Sequence, residues 1–455
     1  MMKPGKHGRD IVRIGTGAGM ADDRVYPAVQ LLERGDLDYL VCECLAERTI
    51  ARESLDRSRN PERGYTPMLE ERLHAFLPLM RKHDVCMVTN MGAANPLSAA
   101  RVVRRIAREL GLDSIPCAAV VGDDVTELVR AHPELPLMES GEPVESVLPR
   151  MASANAYLGA DVIRDALATG AEVVITGRVA DPSLYLGVLL HHFGWSYDDL
   201  PLLATGIVAG HLLECSTQVT GGYFADPGKK EVANLADLPY PYADVTRGGA
   251  LTLGKTPNSG GRLDVMTCTE QLLYEIHDPA RYITPDCVVD ITDVDLAQDG
   301  PDRVKVAGAR ATPRTATYKA VVGYFDGYIG CGEVSYAGIN AVARARLAAE
   351  VVKERLRMQG FAPCEYLVDL VGMTSLHGDN GHRPEPYEVR LRVAGRCPDR
   401  RTADALGDAV RQLNMQGPSG PGAATNIGPR EIIAVKSVLL PREWVHPEVV
   451  MEEPG

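Results

Sequence analysis

The sequence predicts an α/β fold: a parallel sheet with helices on both faces, in a Rossmann-like three-layer arrangement, followed by mixed α+β segments. Three observations carry this reading. Through the first half of the chain, short unbroken apolar runs alternate with amphipathic helical stretches, and unbroken apolar runs suit strands buried on both faces. All of these runs but the second empty into a loop rich in Gly, Asn or Asp. From about residue 225 the texture changes: Pro and Gly become frequent, strands shorten and helices are rarer.

Residues 11–14 form the first strand and run into GTGAGMADDR. Residues 26–34 have helical spacing, Gly35-Asp36 stops them, and YLVC at 39–42 is the second strand. A helix at 69–80 precedes a third strand at 85–89, which empties into NMGAANP. Asn95-Pro96 starts a helix, with Asn as the cap and Pro at the first position; it runs to about residue 110. A fourth strand at 115–121 ends in GDD, and residues 154–168 read as helix. The fifth strand, EVVIT at 172–176, ends in GRVADP, and Asp181-Pro182 launches a helix to residue 193. Ligands in such sheets sit at the carboxyl ends of the strands. The loops 15–24, 43–49, 90–95, 122–124 and 177–181 therefore gather at one edge.

Beyond residue 225 the pattern gives a helix at 268–277, strands at 287–291, 303–307 and 320–328, and a helix at 339–358. Strands at 366–371 and 387–393, a helix at 402–413, a glycine loop at 417–428 and a strand at 432–440 follow. The division read from these shifts is 1-225, a parallel α/β domain with a strand-end pocket; 226-362, a mixed α+β region completing the site; and 363-455, a small α+β tail module.

The 455 residues are 45% hydrophobic and 24% charged, an ordinary globular balance. Only 5% are aromatic, so the core is built from Ala, Val, Leu and Ile. A net charge of −13 argues against a nucleic-acid or membrane-surface binder, since both reward a basic face. No apolar run approaches the ~18 residues of a membrane span. The opening MMKPGKHGRD is basic and lacks an apolar stretch; it reads as a disordered lead-in and not as a signal peptide. Ten cysteines are scattered, several inside apolar runs, the usage of reduced thiols in a cytoplasmic protein. Cys42 and Cys44 lack a second pair at zinc-finger spacing.

The densest chemistry lies at 209–222, AGHLLECSTQVTGG. On a helix His211 and Glu214 share one face, as a base held by a carboxylate, as two metal ligands, or as a structural pair. Cys215 is either a nucleophile beside His211 or a packing residue, and Gln218 offers an amide to a substrate. At the strand ends, Arg178 can fork onto a carboxylate or phosphate. Asp181 reads as the cap of the next helix or as a ligand contact. Asn95 is explained as a cap but lies in the same crevice; Asn90 is the better ligand contact. Glu43 and Glu47 are either a general-base pair or acids favoured by a helix N-terminus. Gly15-x-Gly17-x-Gly19 approaches a dinucleotide fingerprint, with Met20 where the third glycine is wanted and Glu43 where a ribose-binding acid would sit. Asp22-Asp23 beside that turn would repel a phosphate unless a cation intervened. No cofactor motif is complete, and a divalent metal is a minor alternative.

These motifs together resemble the acyclic terpene utilisation (AtuA-type) family. The residues that carry the likeness are IGTGAGMADDR at 14–24, ECLAERT at 43–49, TNMGAANP at 89–96, TGRVADPSL at 176–184, FGW at 193–195 and AGHLLECSTQVTGGYFAD at 209–226. TEQLLYEIHDPARYITPD at 269–286, SYAGINA at 335–341 and LLPRE at 439–443 extend it. The resemblance implies a role in catabolism of citronellol- and geraniol-type branched acids. The family often has Asp where this chain has Glu43, and longer relatives carry an extra ferredoxin-like C-terminal domain.

The function expected is a soluble, cytoplasmic enzyme of lyase or hydrolase type. It would hydrate, dehydrate or hydrolyse a small branched carboxylic acid or acyl thioester by acid/base chemistry. His211 would be the base or acid and Glu214 its orienter, with Arg178 and Asn90 as anchors. The alternatives are a nicotinamide-dependent oxidoreductase and a non-catalytic subunit of a catabolic complex. The expected partners are a small-molecule substrate and further copies in a homo-oligomer, with no nucleic acid and no membrane.

Overall fold

In the computed structural model, which describes residues 10–112, 114–379 and 384–452, the first strand runs past its apolar start: β1 is Ile11–Ala18. It is followed by α1 (Tyr26–Arg34), β2 (Tyr39–Cys42), α2 (Glu47–Arg59), α3 (Leu69–His83), β3 (Cys86–Thr89), α4 (Pro96–Glu109) and β4 (Cys117–Val121). Next come α5 (Thr126–Ala131), β5 (Met151–Ala156), α6 (Asp161–Ala168), β6 (Val173–Thr176), α7 (Asp181–Phe193) and α8 (Leu200–Glu214). Then β7 (Pro241–Thr246), β8 (Leu251–Lys255), α9 (Val265–Leu273), β9 (Tyr282–Ile283), β10 (Cys287–Asp290), β11 (Asp295–Gln298), β12 (Arg303–Ala307) and β13 (Arg310–Pro313) lead into the long β14 (Thr317–Ala337). The last elements are α10 (Ala341–Met358), β15 (Glu365–Val371), β16 (Glu388–Cys397), α11 (Arg400–Arg411), β17 (Gly422–Asn426), β18 (Arg430–Pro441) and β19 (Glu448–Glu452). Most of the segment read as a lead-in lies outside the described residues.

The chain falls into two units, Met1–Gly323 with Val435–Gly455, and Tyr324–Ala434. These divide at 323 and 434, where the sequence texture had suggested 225 and 362. The chain passes from one unit to the other inside two strands, β14 and β18, and no composition shift marks either point.

In the first unit β1, β2, β3, β6 and β4 lie side by side and parallel. Here the expectation of a parallel sheet needs correction. The whole sheet has ten strands in the order β11-β12-β8-β7-β1-β2-β3-β6-β4-β19, and it is mixed. β7 joins β1 antiparallel, β8 and β12 extend that side, and β19 closes β4 antiparallel. Two hairpins from the Pro- and Gly-rich stretch, β7–β8 and β11–β12, use the short connections that antiparallel neighbours allow and extend the parallel core.

The helices form where the sequence repeats apolar residues at helical spacing. α4 buries Ala99, Val102, Val103 and Ile106 on one side, and its cap Asn95 accepts the Ser98 amide at 3.3 Å. Leu31, Leu73, Phe76, Leu77 and Ile106 share one buried cluster with Leu40, Met87 and Ile175 of the parallel strands. α8 is apolar nearly all round and buried from Gly206 to Glu214, as a helix enclosed by protein must be. It approaches α7 so closely that a Cβ on Gly210 would lie 2.6 Å from Pro182 Cα.

The second unit runs β14, α10, β15, β16, α11, β17, with sheet order β15-β16-β14-β17 and antiparallel neighbours. This is the β-α-β-β-α-β pattern of ferredoxin-like folds. α10 and α11 bury Ala345, Val352, Leu406 and Val410 with Leu370, Leu391 and Val393 of the sheet. The stretch read as a glycine loop holds β17.

Candidate active site

The parallel strands deliver their loops to one edge, and there the first unit gathers its ionisable groups. At the centre is Arg178, just past β6, with its side chain 1% exposed. Its Nη1 donates to Leu45 O, and its Nη2 to Asp181 and, at 2.7 Å, to Val179 O. Its backbone amide donates to Asp123 Oδ2 at 2.8 Å, and its guanidinium lies over the Tyr157 ring at 4.5 Å. Asp181 is therefore an ion-pair partner and does not cap α7: the cap position belongs to Ala180, which makes no side-chain cap bond.

Glu43 follows β2 and is 8% exposed. Its Oε1 accepts from the Leu45 amide at 2.7 Å and from Asn90 Nδ2 at 2.8 Å. Asn90 returns its own Oδ1 to the Cys44 amide at 2.7 Å, so it fixes the two strand ends to each other. Burial pushes the Glu43 carboxyl up to about 8; neighbouring Asp181 adds to this and Arg178 opposes it. Glu47, at the start of α2, accepts the Tyr157 hydroxyl at 2.6 Å and faces Lys319 at 3.6 Å. Burial raises its value, but the Tyr157 hydroxyl and Lys319 outweigh burial and leave it below the usual carboxylate range.

Asp123 sits in the loop after β4 and accepts from the Arg178 amide and from Asn155 Nδ2 at 3.0 Å. Burial lifts it to about 6. A Cβ on Gly177 would lie 2.4 Å from Asp123 Oδ1, so only glycine lets this carboxylate reach the Arg178 backbone.

At the end of α8, His211 Nδ1 meets Glu214 Oε1 at 3.0 Å and its Nε2 meets Leu272 O at 3.2 Å. A carbonyl only accepts, so Nε2 carries a proton. Burial drives the imidazole down to about 4 and pushes Glu214 well up, with Asp181 and Glu275 adding to the latter. The neutral ring then offers Nδ1 as an acceptor, and the Glu214 carboxyl holds the proton between them. Both ring nitrogens are occupied by protein groups. Glu214 Oε2, in contrast, is buried and has no partner. Gln271 donates to His211 O at 3.0 Å, and its Oε1 is also buried and unpartnered, as is Gln218 Oε1. The Tyr282 ring stands 5.5 Å from the His211 ring.

The sequence expectations therefore divide. Glu43, Asn90, Arg178 and Asp181 form one connected group; His211, Glu214, Cys215 and Gln218 form a second at the end of α8. Asp181 contributes to the shifts of both Glu43 and Glu214. Burial holds the Cys215 thiol high, which removes the thiolate a nucleophile needs. Asn95 is used as a cap, and its Nδ2 donates to Pro61 O and Arg63 O at 2.8 Å each.

Gly15 and Gly17 lie inside β1 and not in a turn. Cβ atoms there would meet Leu37 at 2.7 Å and Cys42 Sγ at 2.5 Å. Their smallness serves strand and helix packing. The Gly19 amide, which a pyrophosphate would need, donates to Asp23 Oδ2 at 3.0 Å, and the same oxygen accepts from Ser216 Oγ at 2.8 Å. The turn thus grips the end of α8 and leaves the nicotinamide reading without its phosphate cradle.

Sequence reasoning missed Asp123, Tyr157 and Gln271. The GDD after the fourth strand pointed to the first; no local pattern marks the other two. Among the described residues no group of three or more His, Cys, Asp or Glu is placed to hold a metal ion, and no helix is long and apolar enough to cross a membrane.

A cavity of about 780 Å³ adjoins this edge, walled by Ser54, Arg57, Thr126, Ser153, Trp444 and His446 among others. It opens beside the end of β4, next to Gly122 and Asp124, and not over Arg178.

The chain matches the family model described as acyclic terpene utilisation family protein AtuA over residues 12–451. Comparison with curated proteins and with solved structures returned no match. The match spans nearly the whole chain, and the protein belongs to the acyclic terpene utilisation family.

Proposed function

From this membership and the strand-end carboxylates, we propose that the protein is an enzyme of lyase or hydrolase type. It acts by acid/base chemistry on a small branched carboxylic acid or its acyl thioester. The reading takes the parallel core as a Rossmann-like three-layer frame, with α1, α3 and α4 on one face and α6, α7 and α8 on the other.

One observation carries it. Three carboxyl groups in different environments, Glu43, Asp181 and Glu214, all feel the charge of one buried arginine, which contacts Asp181 directly, and Glu214 Oε2 is buried with nothing to bond. Burial raises all three and Arg178 opposes that rise in each, but only at Asp181 does its charge come second to burial and its guanidinium bond the carboxylate; we take this difference as the division between acid and base that such sites use. Glu43, raised to about 8, is protonated at neutral pH and gives its proton to a leaving hydroxyl. Asp181, held by Arg178 and 37% exposed at its side chain, is the base that takes the carbon-bound proton. In dehydration the C–H electron pair becomes the double bond and the hydroxyl departs as water; hydration is the reverse. His211 is reassigned from base to positioning residue: it holds Glu214 Oε1 and leaves Oε2 for the substrate.

Solvent exchange tests this. With branched acids or thioesters in D2O, the wild type should exchange a carbon-bound proton or add water. Glu43→Gln and Asp181→Asn should each lose at least about a hundredfold of that rate, the usual contribution of a positioned acid or base. His211→Asn should retain most of it. A wild type that neither exchanges nor hydrates any of these compounds removes the reading.

A further inference from the structure

The buried members of the carboxylate cluster are already engaged. Each of the three Arg178 guanidinium nitrogens is held by protein oxygens, those of Val179, Leu45 and Asp181, and Glu43 and Asn90 are bonded to each other. Three side chains of the same cluster still meet solvent: Asp181, Glu47 and Lys319, which are 37%, 40% and 43% exposed. Lys319 lies on β14 beside Tyr157, whose amide donates to Lys319 O at 2.9 Å. Its ammonium stands 5.1 Å from the centre of the Tyr157 ring, the same ring that carries the Arg178 guanidinium at 4.5 Å. Arg178 in turn is bonded to Asp181. Lys319 and the Arg178–Asp181 pair thus meet at one aromatic ring, on the side of the cluster that a ligand reaches first.

Lys319 also has donors to give. The acid that faces it, Glu47 Oε1, is 3.6 Å away, beyond hydrogen-bond length, and that oxygen already takes the Tyr157 hydroxyl at 2.6 Å. A pair as exposed as this one is weak. Among the described residues no hydrogen bond holds the ammonium. An ammonium has three N–H donors and no acceptor, so its complement is an electron-rich oxygen. Removing a proton from the carbon beside a carbonyl drives electron density onto the carbonyl oxygen, and a positioned cation at that oxygen lowers the barrier. Asp181 as the base calls for such a partner, and Arg178 is taken up by the protein.

We infer that Lys319 is a further catalytic residue: its ammonium donates to the acyl carbonyl oxygen of the substrate while Asp181 takes the proton from the adjacent carbon. This rests on the proposed reaction and deepens it, moving the anchor of the acyl group from Arg178 to Lys319. The lysine keeps its own proton throughout. The C–H electron pair still becomes the double bond, and the charge that gathers on the oxygen in between is met by the ammonium. A substrate must then carry a carbonyl oxygen next to the carbon that loses its proton.

Two measurements on the full chain test this. In the first, the lysines of the wild type are reductively methylated and followed by mass spectrometry. Isovalerate should protect Lys319 and leave Lys82, exposed on α3, as reactive as before; 3-methylbutan-1-ol, which lacks the carbonyl, should protect neither. In the second, exchange in D2O is followed with isovalerate and its N-acetylcysteamine thioester. Lys319→Met should lower the rate at saturating probe at least about a hundredfold, the usual loss of one donor to a developing oxyanion, with its urea unfolding midpoint unchanged. Lys319→Arg, which keeps a charged donor, should retain most of the rate. Full exchange by Lys319→Met, or an unprotected Lys319 in a wild type that exchanges, overturns the inference and leaves the acid/base reading standing. The labelling uses no variant, so it decides the matter if Lys319→Met fails to fold. A wild type that exchanges neither probe overturns the inference together with the reaction on which it rests.

Discussion

Replacing Arg178 by Met is the most searching single change, because it keeps the side-chain bulk and removes only the charge and the donors. Deleting one partner of a buried ion pair costs about 3–5 kcal/mol. Asp181 is 37% exposed at its side chain, and that solvent contact sets the ion-pair part at the low end of the range. Leu45 O and Val179 O lose their donors as well, and an orphaned buried acceptor costs about 1 kcal/mol or more. With two such acceptors, the expected loss is about 5 kcal/mol. Arg178→Lys keeps the charge and loses the fork, so it should lose roughly half as much. The assay is urea unfolding followed by tryptophan fluorescence. The chain has 2 tryptophans; Trp195, bonded to Arg247 O at 3.0 Å, and Trp444, stacked on His132, both lie in the first unit. The signal therefore reports the unit that holds Arg178 and not the ferredoxin-like one. A loss below about 1 kcal/mol for Arg178→Met would refute the view of Arg178 as the hub of the strand ends.

Further expectations concern its neighbours. Glu43 is raised in the fold to about 8, so its stabilising contribution is complete below the unfolded value of about 4.3 and is lost as pH rises towards 8. The stability of the wild type relative to Glu43→Gln should therefore fall between about pH 5 and 8 in urea titrations at a series of pH values. His211 has the opposite sign. With its value lowered to about 4, its contribution is present above about 6.5 and lost as pH falls towards 4, a loss that His211→Asn should remove. Gly177→Ala drives a methyl onto the Asp123 carboxylate and should cost about 1–3 kcal/mol, measured by the same unfolding assay; a neutral result would mean the loop after β6 is free to shift. Cys215→Ala should keep nearly full activity, and iodoacetamide should label Cys215 in the native wild type far more slowly than in urea. Rapid native labelling tied to inactivation would restore the thiol as a nucleophile.

The strand-end loops were legible because strand, breaker and helix start are local signals: YLVC before Glu43, the Asn95-Pro96 cap, GRVADP after EVVIT. Their meeting at one edge followed from the parallel order alone. β5 was not legible. MASANA merges into the helical run after it, and only its pairing with β14 makes it a strand. α2 was missed because its few apolar residues, Ile50 and Ala51, give too narrow a stripe over a charged helix. The glycines of β1 misled because a close-packed strand and a phosphate turn use the same residue for the same lack of a side chain. His211 and Glu214 were found together, but which of them keeps a free atom depends on Leu272, distant in sequence and visible only in the fold.

The closeness of α7 and α8 at Gly210 has a consequence for how this scaffold can diversify. Added bulk along that seam, or at Gly177, strikes backbone or a buried carboxylate, so the floor of the site tolerates almost no variation. Ser54, Ser58 and Ser153 border open space instead. Selection for new ligands, natural or in the laboratory, would find viable sequences at those three positions and destabilised ones at the glycines. A library confined to the serine wall would reshape the cavity while Arg178 and the carboxylates it influences stay as they are.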